Sequence, residues 1–276
     1  IKFKKERVIL SDVLPFEIPV TFSNRHFYDF LVTNGIEMKE DSIAWHKDDP
    51  FLEAIVKLLF GFPVNKGTTN RVIKLNGNLT TIPFSYKIAH KENDYRELTI
   101  IHPRNQLAVI QFYEKYKELI IYYCNMSPFS IRKPHKVAKS TNYNDRLHLQ
   151  NLAFDHEHET IEEIDKEYKN LKTYFAYKNY SNVHKFYESY KYHRAEKKYN
   201  RLYKFDISKC FDSIYSHSIC WALSNKDIVK SKIRSSNNTF GGKFDSLMQA
   251  ANYGETHGII IGPEFSRIFA EIILQN

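Results

Sequence analysis

The segment Tyr203-Lys-Phe-Asp206-Ile-Ser-Lys-Cys-Phe211-Asp212-Ser-Ile214 constrains this chain more than any other. It reads as a short apolar strand that ends in a carboxylate and, five residues on, presents an aromatic ring. A carboxylate fixed at a strand end can hold a hard divalent cation, with phosphates and water completing the oxygen shell. Two such ions about 3.5–4 Å apart clamp the attacking and leaving oxygens of an in-line phosphoryl displacement. The backbone carbonyl of Ile207 is a candidate further ligand. Phe211 falls one turn on, where a flat ring can pack on a sugar and exclude a 2′-hydroxyl. The competing reading is a turn-opening Asp whose carboxylate caps backbone N–H groups, and the segment alone does not separate the two.

A second segment follows some fifty residues later: Gly254-Glu-Thr-His-Gly258-Ile-Ile-Ile-Gly262-Pro-Glu-Phe-Ser266-Arg-Ile-Phe-Ala270-Glu-Ile-Ile-Leu274. Glycines four apart let backbone approach a ligand closely. Pro263 suits a first helical turn, and Phe265, Ile268, Phe269, Ile272 and Ile273 make a helical stripe. By itself this segment reads first as a glycine turn ahead of a core helix.

In order and spacing, the two segments resemble motifs A and B of reverse transcriptases. The wording of residues 205–218 is most similar to the bacterial antiphage-defence branch, which includes the abortive-infection enzymes. Upstream, Ser127-Pro-Phe-Ser-Ile-Arg132-Lys133-Pro-His-Lys136-Val-Ala138 is similar to the basic fingers segment that grips an incoming triphosphate in that family. Position by position, the resemblance implies that Asp206 is the first metal-binding aspartate and Phe211 the aromatic steric gate. It makes Arg132 the triphosphate-binding arginine and Gly262 the glycine of the motif B loop. The match covers roughly residues 125–275. Ile260-Ile261 depart from it, standing where Pro-Gln is common and removing the glutamine that touches the nucleotide; Glu271 stands where an asparagine is common. The Tyr-x-Asp-Asp turn carrying the other carboxylates is expected beyond Asn276, followed by a thumb.

The resemblance implies a mixed α/β (α+β) chain in a right-hand polymerase arrangement: an N-terminal extension and fingers, mostly helical, over residues 1–198, then a partial palm over 199–276. The implied activity is that of an RNA-directed DNA polymerase in phage defence, compatible with untemplated or protein-primed synthesis. A 3′-hydroxyl or a protein hydroxyl attacks the α-phosphate of a deoxynucleoside triphosphate, and pyrophosphate leaves. Asp206 and the Ile207 carbonyl would hold Mg²⁺ in a two-ion site completed by the motif C carboxylates. Phe211 and the Cys210 backbone would hold the sugar, and Arg132 with Lys133 the phosphates. DNA or RNA, deoxynucleoside triphosphates, and an oligomer or a second defence protein are the implied partners. The rival readings are a catalytically inactive nucleic-acid-binding module and an assembly subunit of a defence complex.

Charge placement points the same way. Between Lys166 and Lys204 eleven Lys or Arg face three acidic residues, a surplus that equals the +8 of all 276 residues and leaves the remainder neutral. Nine tyrosines are interleaved with them. Cations neutralise phosphates and release counterions, and ring faces stack on bases for about 1–3 kcal/mol each. Lys191, Arg194 and Lys197 are the candidate phosphate contacts. Tyr and Lys at helical spacing also make an ordinary solvated face over core rings. The acidic run Asp155-His-Glu-His-Glu159 reads as a solvated loop and helix start.

The remaining chain reads as mixed elements. Residues 9–22, with Pro15 and Pro19, read as an extended arm; 27–31 and 49–60 as helices; 71–75, 81–89 and 98–102 as strands, with Asn76-Gly77-Asn78 a hairpin signal. Residues 105–124 and 160–200 read as helices, and 225–245 as a mobile insertion. Three cysteines without ligand-like spacing read as free thiols in a reducing, cytoplasmic setting. No apolar run reaches the 18 residues of a membrane span, and the charged start does not read as a signal peptide.

Overall fold

A computed structural model describes residues 4–11, 17–39, 42–60, 71–74, 80–91, 94–138, 174–177, 180 and 183–275. Its centre is a long helix, α4 (Pro103–Cys124), whose start is set locally. His102 accepts a hydrogen bond from the Arg104 N–H at 3.2 Å, and Pro103 occupies the first turn, where no N–H is needed. Leu107, Val109, Ile110, Phe112, Tyr113, Ile120 and Cys124 are all buried, so α4 is apolar around most of its circumference and is packed on several sides.

Ahead of α4 stand α1 (Val8–Ser11), α2 (Arg25–Asn34) and α3 (Pro50–Phe60), with a sheet of β1 (Glu37–Lys39), β2 (Ser42–Trp45) and β3 (Arg71–Lys74) in antiparallel order 1-2-3. Gly35 ends α2 in the left-handed conformation. Asn24 ties this region together, donating to the Ile9 carbonyl at 2.9 Å and to Gln106 Oε1 at 2.8 Å. A separate hairpin, β4 (Phe84–Lys91) with β5 (Asp94–Ile100), leads into α4, and β6 (Pro134–Val137) pairs with β7 (Phe175–Tyr177) after it. Then come α5 (Val183–Tyr187), α6 (Tyr190–Lys198), α7 (Cys210–Ser213), α8 (Ser218–Ser224), α9 (Lys226–Ser231), α10 (Ile233–Ser236), α11 (Phe240–Ala251) and α12 (Glu264–Gln275). Helices α11 and α12 lie against α4. The architecture is mixed helix and small antiparallel sheets, and one apolar cluster runs from Val8 to Ile272. No helix among the described residues is long and apolar enough to cross a membrane.

Several expectations are corrected. Residues 199–207 form no strand; the run to Asp206 has no pairing partner among the described residues, and Phe205 is 92% exposed. A strand is defined by its ladder, and apolar composition alone does not supply one. Residues 9–11 belong to a helical turn, because Val8, Ile9 and Leu10 are buried against the core and not laid out as an arm. Residues 225–245 fold into helices α9, α10 and the start of α11. Asn225 caps Asp227 N–H at 3.0 Å and Thr239 caps Gly242 N–H at 3.2 Å, while Phe240, Phe244, Leu247 and Met248 bury one stripe. Within 174–200 the helices are short and a strand precedes them. The Asn76-Gly77-Asn78 signal, the acidic run at 155–163 and residues 160–173 lie outside the described residues.

Phe244 joins three helices, its ring lying 4.7 Å from Phe112 on α4 and 4.9 Å from Phe269 on α12. Phe244→Ala is expected to lower stability by about 3–5 kcal/mol, read from the urea midpoint. Phe51→Ala, at a site 73% exposed, is expected to leave the midpoint nearly unchanged.

Candidate nucleotide site

The two segments singled out from sequence meet through their backbones. The Ser216 N–H donates to the Thr256 carbonyl at 2.8 Å, Tyr215 and His257 form an antiparallel bridge, the Gly258 N–H donates to Ile214 O at 2.9 Å, and the Ile259 N–H donates to Phe211 O at 2.9 Å. Gly258 sits at φ +82°, and a Cβ there would lie 3.2 Å from the Asp212 carbonyl oxygen. The left-handed backbone favours glycine, and a side chain there would press the Asp212 backbone back by a few tenths of an ångström. Gly262, at φ +123°, turns the chain into α12.

Lys209 itself adopts a left-handed conformation (φ 50°, ψ 40°), which swings the chain from the Asp206 run into α7. Phe211 is thereby half-buried, its ring packed on the core cluster, while Asp206 remains exposed. Burial and then the Asp206 carboxylate raise the Cys210 thiol above its ordinary range.

The glycine loop is held from its other side by the N-terminal region. Thr99 of β5 donates its N–H to the Ile261 carbonyl at 2.9 Å. Asn105 Nδ2 donates to Thr81 Oγ1 at 2.7 Å and to the Ala250 carbonyl at 2.9 Å. Ile260 is buried. The Ile260-Ile261 pair that departs from the family wording therefore anchors the loop, one residue through an apolar side chain and the other through its carbonyl.

The basic segment is attached to the helix that follows the loop. The Arg132 carbonyl accepts from Arg267 Nη1 at 2.9 Å, across 135 residues of sequence. The Arg132 guanidinium is held below its usual range by burial and then by Arg267, with Glu264 and Glu271 opposing. Lys133 donates its ammonium to the Ser127 carbonyl, so it closes the turn at the head of the segment.

Sequence reasoning missed one cluster. His217 Nδ1 lies 2.5 Å from Asp245 Oδ2, and Gln249 Nε2 donates to Asp245 Oδ1 at 2.7 Å. A carboxylate only accepts, so Nδ1 carries the hydrogen and Nε2 is left for other partners. Asp245 is buried, and the pair locks the turn after α7 to α11. Twenty-eight residues separate the two, with no spacing signal to join them.

Lys191, Arg194 and Lys197 are exposed along α6. The tyrosines around them divide by role. Tyr174 is fully buried and Tyr177 lies under Arg267, 4.9 Å from ring centre to guanidinium carbon. Tyr187 and Tyr192 pack edge to face at 5.0 Å. Tyr190, Tyr199 and Tyr203 stay exposed. The surface that remains for stacking is thus narrower than the composition implies.

Among the described residues no group of three His, Cys, Asp or Glu side chains could hold a metal ion. One carboxylate, Asp206, and the Ile207 carbonyl do not make the two-ion ligand set, so the described residues fit at most one corner of such a centre. No known protein family and no curated protein matches this chain.

The three cysteines differ in reactivity. Burial pushes the Cys124 thiol up to about 12, with Glu271 adding to it, and pushes Cys220 up to about 11, with Asp245 adding. Only the thiolate attacks an alkylating agent. At pH 8 iodoacetamide is therefore expected to label Cys210, the one partly exposed thiol, first and to leave Cys124 unlabelled in the folded protein, as mapped by peptide mass spectrometry.

Proposed function

We propose that this chain carries the fingers and part of the palm of a nucleotidyltransferase of the reverse-transcriptase kind, acting in antiphage defence with deoxynucleoside triphosphates as substrates. The observation that carries the reading is a pair of contacts: the glycine loop donates from Ile259 to the Phe211 carbonyl, and the basic segment bonds through the Arg132 carbonyl to Arg267 on the helix that this loop leads into.

Arg132 and Lys133 supply positive charge for the triphosphate, and a planar guanidinium suits bidentate contact with phosphate oxygens. The half-buried Phe211 ring is braced by the core behind it, so it can refuse a 2′-hydroxyl without swinging away. Gly262 lets the loop backbone approach the nucleotide, while Gly258 seats the loop on the Asp212 backbone. Asp206 is the carboxylate proposed to meet Mg²⁺. The exposed Lys191, Arg194 and Lys197 line a path for single-stranded nucleic acid. The second reading, binding without catalysis, uses only those same exposed cations and rings.

Asp206→Asn keeps shape and removes charge. In the intact protein it is expected to abolish nucleotide incorporation in Mg²⁺ while the thermal midpoint stays within a few degrees of wild type. Incorporation near the wild-type rate would sink the assignment of Asp206. Binding without incorporation by the wild type itself would favour the second reading.

Phosphate contacts carry no sequence information, and each adds about −0.7 to the slope of log affinity against log salt on single strands. Lys191→Ala, Arg194→Ala and Lys197→Ala together are expected to weaken binding to unrelated oligonucleotides alike and to flatten that slope by about 2. An unchanged slope across a salt series would remove α6 from the path.

A further inference from the structure

Helix α12 grips the basic segment at three points spaced one helical turn apart. Arg267, Glu271 and Gln275 recur every fourth residue and so share one face. Gln275 Oε1 accepts from the Ser127 N–H at 2.9 Å, Glu271 accepts from the Ser130 hydroxyl, and Arg267 Nη1 donates to the Arg132 carbonyl. Arg267 is fixed from behind as well. Its Nε donates to Glu264 Oε2 at 2.9 Å, and Nη2 donates to Glu264 Oε1 and to the Tyr177 hydroxyl. Burial opposes the charge on Arg267, but Glu264, with Glu271 and Cys124 adding, holds the group above its ordinary range.

A buried ion pair of this kind contributes little net stability, since desolvation offsets most of the attraction and apolar residues of equal volume often do as well. An apolar pair could not, however, hold a carbonyl. The guanidinium is planar, so bonds from Nε, Nη1 and Nη2 fix its plane, and that plane fixes where the Arg132 backbone sits.

We propose that Arg267, locked by Glu264, is a positioning residue that aims Arg132 at the β- and γ-phosphates, so that α12 links the glycine loop at its start to the phosphate grip along its side. This rests on the reading of Arg132 as the triphosphate-binding arginine.

The test is equilibrium binding to the intact protein of a deoxynucleoside triphosphate and of the matching monophosphate, which lacks the phosphates that Arg132 would hold. Arg132→Ala and Arg267→Lys are each expected to weaken triphosphate binding about tenfold, as the loss of a charge-assisted hydrogen bond does, with monophosphate binding unchanged. The double variant should bind triphosphate no worse than Arg132→Ala. Equal weakening of both nucleotides by Arg267→Lys, no weakening of either, or a full further loss in the double variant would each overturn the proposal. If Arg132→Ala leaves the preference for triphosphate intact, the reading beneath it fails, and that is visible without any Arg267 variant. Should Arg267→Lys not fold, Tyr177→Phe removes a single hydroxyl contact to the guanidinium. It is expected to cost triphosphate about threefold and monophosphate nothing; an unchanged preference in that folded variant would equally overturn the proposal.

Discussion

The missing side chain of Gly258 allows the closest approach in the candidate site. Because no Cβ stands between the loop and the Asp212 backbone, residues 256–259 can run beside 211–216 and exchange hydrogen bonds at successive positions. Those bonds satisfy polar groups that burial would otherwise strand at a cost of about 1–3 kcal/mol each. They also join Phe211 and the glycine loop in one hydrogen-bonded unit. The His217–Asp245 contact then joins that unit to α11, and the short loop from Gly258 to Pro263 joins it to α12.

Around this contact the molecule is organised by a few long-range clamps. Phe112, Phe244 and Phe269 bring α4, α11 and α12 onto a shared aromatic centre in tilted and edge-to-face arrangements, which suit ring quadrupoles better than parallel stacking. Thr99 and Asn105 reach from the N-terminal side to hold the glycine loop and the end of α11. The basic segment hangs from α12 by side chains over residues 127–132 and is held beyond them by the pairing of β6 with β7. Polar geometry and that short ladder together set its orientation.

Local structure was legible where periodicity is local. Apolar residues at helical spacing located α2, α3, α4 and α12, and the glycine-punctuated loop put glycine at the positive-φ positions 258 and 262. The same reasoning misplaced residues 199–207, since an apolar run becomes a strand only when a partner supplies the other half of each hydrogen bond. It misjudged 225–245 as well, where Ser, Asn and Gly look like a loop but act as caps and close-packing positions. Gly242 leaves room for the Ser236 carbonyl, which would lie 2.2 Å from any Cβ.

The sequence by itself determined which residues can do chemistry: a lone carboxylate five residues before a ring, a glycine-punctuated loop, and a basic segment rich in Lys and Arg. Tertiary structure alone decided which segments lie against one another. The Arg132 carbonyl on Arg267, Ile259 on Phe211, Thr99 on Ile261 and His217 on Asp245 all join residues distant along the chain. No short-range pattern encodes such pairings, because they arise from burying separate apolar faces against one another. It also divided the tyrosines, sending Tyr174 into the core and Tyr190 to solvent, since a ring's role follows from what packs over it.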